Sequence, residues 1–243
     1  MVMAGTELAQ VKAMVFDVFG TVVDWRGSIL AELAGVGRAK GIAADWAAFV
    51  DDWRRGYRPA MQRVLSGDLP WTDIDGLHRI VLDEILRKHG ITSLTEAETR
   101  HLNLAWHRLD PWPDAVAGLA RLKRRFVIGT LSNGNVALLV NMAKHAGLPW
   151  DVVLSAELVR HYKPDPEVYL SAASFLGLEP PAVMMVAAHA SDLEAARRQG
   201  LRTAYVSRPL EHGPGAAHET VGPGAFDVVV GDFAALATAM GAS

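Results

Sequence analysis

Ten residues near the start of the chain, Val15-Phe16-Asp17-Val18-Phe19-Gly20-Thr21-Val22-Val23-Asp24, restrict the fold more than any other stretch. The apolar run Ala13-Met14-Val15-Phe16 predicts a buried strand, and an ionisable side chain, Asp17, follows it at once. Gly20-Thr21 then offers a place for the chain to turn. Open α/β sheets place their ligands at the carboxyl ends of parallel strands, so Asp17 is a candidate functional group. A lone aspartate there more often caps a helix. The chemical reading depends on what the remaining segments bring to it.

The rest of the chain divides into two kinds of pattern. From residue 25 to 109 only helical periodicity is visible. One helix begins at Ser28-Ile29-Leu30 and ends near Gly35 or Gly41, and a second is capped by Asp45 and carries Trp46, Phe49, Val50 and Trp53. Two more cover Asp73 to Lys88 and Thr95 to Trp106, with Gly90 as a helix stop. Leu109-Asp110-Pro111-Trp112-Pro113-Asp114 reads as a hinge, since its prolines restrict the backbone. Beyond it, strands and helices alternate. The strands are Phe126 to Leu131, Val152 to Leu154, Val183 to Ala187, Thr203 to Val206 and Asp227 to Val230. The helices run from Ala115 to Lys123, Val136 to His145, Pro166 to Leu176 and Asp192 to Gln199. Such alternation predicts an α/β fold: a doubly wound, Rossmann-like parallel sheet from residues 1–24 and 110–243, with residues 25–109 inserted as a helical cap domain. Residues 1–10 read as a frayed leader, and the Gly/Pro-rich stretch Pro209 to Phe226 as a surface loop.

Composition narrows the function classes. Half of the 243 residues are hydrophobic, enough for a large core. The formal net charge is −3 and no run of Lys or Arg occurs, which gives nucleic-acid binding little electrostatic support. No apolar stretch is long enough to cross a bilayer and the N-terminus lacks a signal pattern, so no membrane association is expected. The absence of cysteine removes disulfides and thiolate catalysis and is compatible with a reducing, cytoplasmic location.

Four further segments carry candidate chemistry. Leu131-Ser132-Asn133-Gly134, after a strand and before a helix, offers a hydroxyl, an amide and backbone N–H groups to an anion, although Ser and Asn also serve as ordinary helix caps. In Tyr162-Lys163-Pro164-Asp165, Lys163 is able to hold a nearby carboxylate ionised, where most lysines are simply solvated. Ala187-Ala188-His189-Ala190-Ser191-Asp192 supplies a histidine and an acid; His189 is open to three roles, a general base, a hydrogen-bond donor or a structural histidine. In Trp53-Arg54-Arg55-Gly56-Tyr57 the adjacent arginines point about 100° apart on a helix, so one of the pair at most faces a given site.

Taken in order, Asp17, Thr21, Ser132-Asn133, Lys163 and Asp192 resemble the motifs of the haloacid dehalogenase superfamily, and the resemblance spans essentially the whole chain. Phosphatases of that superfamily carry a second aspartate two residues after the first, as the acid for the leaving oxygen. Here that position is Phe19, which cannot donate a proton. The resemblance is therefore to the L-2-haloacid dehalogenase branch, whose halide leaving group needs no acid. It implies that Asp17 attacks C2 of a short halogenated carboxylate (L-2-chloropropionate, a haloacetate, fluoroacetate among them), displaces halide and forms an aspartyl ester. Water then hydrolyses the ester to a 2-hydroxy acid. It further implies that Thr21, Lys163 and Asp192 orient Asp17, and that Asp192 or His189 prepares the water. Arg54, Asn133 and the edge of Phe19 hold the halide, and Ser132 the carboxylate, with Tyr169 also in the binding set. Two departures stand out: Ala187-Ala188 replaces a serine-containing sequence, and His189 stands where these dehalogenases often have Asn. The implied chemistry requires no metal or other cofactor, and related enzymes are often homodimers. The alternatives are a Mg²⁺-dependent phosphatase on the same fold, ring opening of the azetidine-2-carboxylate kind, and a silent binding module. Trp25, Trp46, Trp71 and Trp106 are assigned to packing, with a place in the pocket wall also open to Trp25, which follows the first motif.

Overall fold

A computed structural model of the chain describes residues 8–242, so the leader expected over residues 1–10 falls largely outside the described region. Six strands form one parallel sheet. They are β1 (Ala13–Phe16), β2 (Val127–Ser132), β3 (Val152–Ser155), β4 (Val183–Ala187), β5 (Arg202–Val206) and β6 (Val228–Val230), in the spatial order β3-β2-β1-β4-β5-β6. The chain winds outward from β1 to β3, then restarts on the other side of β1 with β4. This leaves a crevice where the winding direction reverses, at the carboxyl ends of β1 and β4. Helices on both faces account for the unbroken apolar strands: every residue of β1 and of β4 is buried.

Between β1 and β2 lie helices α1 (Trp25–Lys40), α2 (Trp46–Leu65), α3 (Ile74–Lys88) and α4 (Glu96–Asn103), followed by a 3₁₀ turn over Leu104–Arg108. Asp24, Asp45, Asp73 and Thr95 cap the four helices by accepting from backbone N–H groups three residues on. Thr95 forms a capping box with Glu98. The helix expected from Thr95 to Trp106 thus divides at Leu104 into an α and a 3₁₀ part. Helix α1 starts at Trp25 rather than Ser28 and runs to Gly41, whose left-handed backbone (φ 66°) ends it. The two chain crossings between sheet and insertion lie side by side: Asp24 N–H donates to Asp110 O at 2.9 Å, and Trp112 N–H to Val22 O at 3.0 Å.

After the hinge come α5 (Ala115–Lys123), α6 (Val136–Ala146), α7 (Pro166–Phe175), α8 (Ala190–Arg198) and α9 (Phe233–Ala239). Insertion and core share one apolar cluster, in which Trp53, Trp106, Leu77 and Phe49 of the insertion join Phe16, Val22, Leu138 and Met142. A buried polar seam runs alongside. Asp75 of α3 lies 2.9 Å from His107 Nε2 and accepts from Asn135 Nδ2, at the start of α6, at 2.8 Å. No helix among the described residues is long and apolar enough to cross a membrane.

The stretch Pro209 to Phe226 corrects an expectation. It has no regular structure, but it is not simply a surface loop, because Glu211 folds inward and only 5% of it is exposed. Gly20 makes room for it: at φ 85° its own conformation disfavours a side chain, and a Cβ there would lie 2.1 Å from Glu211 Oε1.

Candidate active site

Adjacent strand ends deliver the central groups. β1 runs into Asp17, β2 ends in Ser132 with Asn133 next, and β4 leads to Ala188 and His189. Helix α2 presents Arg54 and Tyr57 from the insertion, and the turn before α7 presents Lys163. Together Asp17, Phe19, Arg54, Tyr57, Ser132, Asn133, Lys163 and His189 line a cavity of about 90 Å³.

Asp17 Oδ2 accepts a hydrogen bond from Thr21 Oγ1 at 2.8 Å. The direction of that bond is fixed, since an ionised carboxylate only accepts, and Thr21 Oγ1 in turn accepts from Ala188 N–H at 2.9 Å. Lys163 Nζ stands 2.7 Å from Asp192 Oδ2 and 3.4 Å from Asp17 Oδ1, bridging the two carboxylates. His189 Nδ1 lies 3.3 Å from Asp17 Oδ2. Burial by itself would raise the Asp17 pKa; the charge of Lys163 together with the hydrogen bonds and charge of His189 and Thr21 outweighs it and holds the carboxyl well below the ordinary range. Asp17 is therefore a carboxylate at neutral pH. Asp192 moves the other way, pushed up by burial and by the nearby charge of Asp17 against the attraction of Lys163.

Asn133 is locked from both ends of its amide. Its Oδ1 accepts from Lys163 N–H at 2.7 Å and its Nδ2 donates to Tyr57 OH at 2.9 Å. Tyr57 thus uses its oxygen as acceptor and keeps its own hydrogen for a group in the cavity; burial pushes its pKa up to about 12, so that hydrogen stays. The Arg54 guanidinium lies between two rings, 5.3 Å from the centroid of Trp25 and 5.3 Å from that of Tyr57. Arg55 turns away to Asp52. Trp25 therefore backs Arg54 rather than lining the cavity. Trp71 and Trp106 pack, on Tyr162 and on His78 respectively.

Tyr169 departs from its expected place. It is fully buried, and its hydroxyl donates to Asp192 Oδ1 at 2.7 Å, so it supports that acid and does not meet a ligand. Ser132 is also buried and accepts from Gly134 N–H at 3.1 Å, while still bordering the cavity. His189 proves to be held between two acids, Asp17 on one side and Glu211 on the other, with Nε2 3.0 Å from Glu211 Oε2. Burial opposes a charge on His189, but the hydrogen bonds to Asp17 and Glu211 prevail and raise its pKa to about 10. An imidazolium has no lone pair to accept a proton, so of the base and the donor the geometry supports the donor.

Sequence reasoning missed two residues. Tyr57 was within reach, because it stands three positions after Arg54 on the same helix face. Glu211 gave no signal, since an acid in a Gly/Pro-rich stretch reads as solvated.

The site does not suit a divalent cation. Three cationic side chains, Arg54, Lys163 and His189, already surround Asp17, and the Lys163 ammonium occupies the bridge between the two carboxylates. The one group of side chains among the described residues with metal-binding spacing is His161, Asp165 and Glu167, which excludes Asp17.

A parallel α/β sheet with a strand-end aspartate, a bridging lysine and a helical insertion closing over both is the arrangement of a hydrolase built around a carboxylate. Residues 11–200 match the haloacid dehalogenase-like hydrolase family, and the chain belongs to it. It is 31% identical over 202 residues to (S)-2-haloacid dehalogenase 1 of Pseudomonas sp. (strain CBS-3), covering 82% of this chain and 85% of that one. A defluorinating L-2-haloacid dehalogenase of known structure superposes with a TM-score of 0.92 at 46% identity, covering 96% of each chain. The L-2-haloacid dehalogenase of Xanthobacter autotrophicus with chloropropionic acid covalently bound superposes with a TM-score of 0.77 at 27% identity, covering 94% of this chain and 97% of that one.

Proposed function

We propose that this chain is an (S)-2-haloacid dehalogenase that hydrolyses short 2-haloalkanoates through an aspartyl ester on Asp17. The observation that carries the reading is the setting of Asp17: a carboxylate kept ionised by Lys163, Thr21 and His189, facing a small cavity whose opposite wall is Arg54 and Tyr57. Oδ2 is engaged by Thr21 and His189, while Oδ1 meets only the Lys163 ammonium, at 3.4 Å, which makes Oδ1 the attacking oxygen. Its lone pair forms the bond to C2 as the C2–halogen bond breaks, and the halide leaves with the bonding pair. Arg54 and Tyr57 supply donors for that anion, with Asn133 holding Tyr57 in place through its Nδ2, and Ser132 with the backbone N–H groups beside it receives the substrate carboxylate. In the second step water adds to Asp17 Cγ, and its proton passes to Asp192, the acid whose pKa is raised. Collapse breaks the Cγ–Oδ1 bond, the alkoxide of the product takes that proton, and Asp17 returns to a carboxylate by losing its remaining proton to solvent. Residues 25–109 act as a cap domain that closes over the cavity and excludes bulk water.

The size of the cavity points to two- and three-carbon acids, fluoroacetate included; a homodimer in the cytoplasm completes the proposal. A Mg²⁺-dependent phosphatase is disfavoured by Phe19 and by the three cations around Asp17. The test is chloride release from L-2-chloropropionate in EDTA, run beside phosphate release from a phosphomonoester with Mg²⁺. Chloride without phosphate is expected; phosphate without chloride overturns the reading.

A further inference from the structure

We propose that Glu211 is a positioning residue that keeps His189 an imidazolium beside Asp17, so that the cation stabilises the oxyanion formed on Asp17 Oδ2 when the aspartyl ester is hydrolysed. The inference rests on the covalent reading above. Its geometric basis is that both nitrogens of one ring face carboxylates: Nδ1 is 3.3 Å from Asp17 Oδ2, and Nε2 is 3.1 and 3.0 Å from Glu211 Oε1 and Oε2. Nε2 must donate to Glu211, since an ionised carboxylate only accepts, and a second carboxylate at ion-pair distance from Nδ1 favours a proton there as well. Glu211 is itself built into place. It is buried, Trp25 Nε1 donates to its Oε1 at 3.2 Å, and the bare Cα of Gly20 admits it. No step of the reaction as written above uses it.

The groups facing His189 come from several elements. Asp17 follows β1, Glu211 follows β5, Arg54 projects from α2, and Lys163 precedes α7 with Asp192 of α8 behind it. The two nearby cations disfavour a charged ring and the carboxylates favour it. Asp17 cannot supply that support throughout the reaction, because esterification removes its charge. Glu211 keeps its charge in both steps, which leaves it to hold the imidazolium while the ester waits for water.

A fixed cation next to Oδ2 has opposite consequences for the two steps. It stabilises Asp17 as an anion before attack, which does not help esterification. In hydrolysis, water adds to Cγ, the π pair moves onto Oδ2, and negative charge grows within reach of His189 Nδ1 and the Thr21 hydroxyl. Loss of the cation therefore slows ester hydrolysis more than ester formation.

The experiment compares wild type, Glu211→Gln, His189→Asn and the double variant with chloroacetate from pH 6 to 10. The Gln amide keeps an oxygen for Trp25 and is able to donate to a neutral imidazole, so the fold is preserved. Wild type is expected to turn over with no accumulated ester. Glu211→Gln is expected to release one equivalent of chloride per enzyme in a burst and then slow at least about tenfold above neutral pH, with the ester visible as an added mass on the intact protein. In an NMR titration of the ligand-free protein the His189 midpoint is expected to fall by about 1–3 units in Glu211→Gln, as for the loss of one close opposite charge. In the His189→Asn background the second substitution should change nothing further. A variant that slows without burst or adduct, or whose His189 midpoint does not move, overturns the proposal. Wild type that releases no halide from any haloacid overturns instead the reading on which it rests.

Discussion

Asp17 has a neighbour for each property its chemistry requires. Lys163 and His189 keep it charged, Thr21 fixes its rotamer, and Thr21 is itself fixed by Ala188 N–H. Replacing it by Asn removes the nucleophile while keeping the shape. Chloride release should fall by a factor on the order of 10⁴ or more with an unchanged melting profile. Arg54→Lys keeps the charge but loses the planar group that lies between Trp25 and Tyr57; kcat should drop by about 10²–10³ in the same assay, and a loss below threefold would argue against Arg54 as the halide group. His189 gives a sign for the pH dependence. Its pKa in the fold, about 10, lies above the ordinary 6.5, so its stabilising charge is fully present below pH 6.5 and is lost as the pH rises toward 10. Melting temperature should decline over that range, turnover should hold until the pH nears 10, where the folded enzyme loses its imidazolium, and His189→Asn should remove the histidine's share of both declines.

At the scale of elements, the site depends on how the helical insertion is fastened to the sheet. The hinge is a pair of crossings tied by Asp24 to Asp110 and Trp112 to Val22, and the seam beyond it is centred on Asp75. Asp75 draws His107, Asn135 and, through its carbonyl, Asn103 into one buried network spanning α3, the 3₁₀ turn and the start of α6. Asp75→Ala leaves His107 and Asn135 without their acceptor, while Asn103 keeps its bond to the backbone carbonyl, and should cost about 1–3 kcal/mol, a drop of several degrees in Tm by thermal melting. An unchanged Tm would mean that the apolar cluster alone fixes the insertion. Arg208 plays a similar part within the core: it pairs bidentately with Asp114 at 2.7 and 3.0 Å and donates to Thr21 O at 2.8 Å, which anchors the turn that follows Asp17.

For the whole molecule, the position of the cavity follows from the winding of the sheet and its size from the insertion. The crevice beside β1 would be open without α2; Arg54, Tyr57 and, behind Asn133, Met61 close it to about 90 Å³. Substrate length should accordingly be limited. From 2-chloropropionate to 2-chlorobutyrate and 2-chloropentanoate, kcat/KM should fall by about 10–200-fold per methylene. A flat profile would mean that the insertion opens easily to larger acids.

The order of strands and helices was legible because each buried parallel strand is a short continuous apolar run, and each helix of the insertion begins at an Asp or Thr cap. The strand-end positions of Asp17, Ser132 and Asn133 could be read for the same reason: a polar residue directly after such a run has few other places to go; Lys163, in the turn before α7, and Asp192, on α8, were legible only through the motif resemblance. Those features are local, and one sequence suffices for them. The partners of His189 and the place of Tyr169 were not legible, because they depend on which distant segments meet. Glu211 stands 22 positions from His189 and reaches it only because Gly20, from a third segment, has no side chain. Tyr169 is buried because α7 packs against β2 and α8, so its hydroxyl meets Asp192 rather than the cavity. The fold and the candidate nucleophile, Asp17, were thus written in the sequence. The charge on the histidine beside that nucleophile was decided by tertiary structure, since a proton's affinity depends on the groups brought within a few ångströms of it and not on its neighbours along the chain.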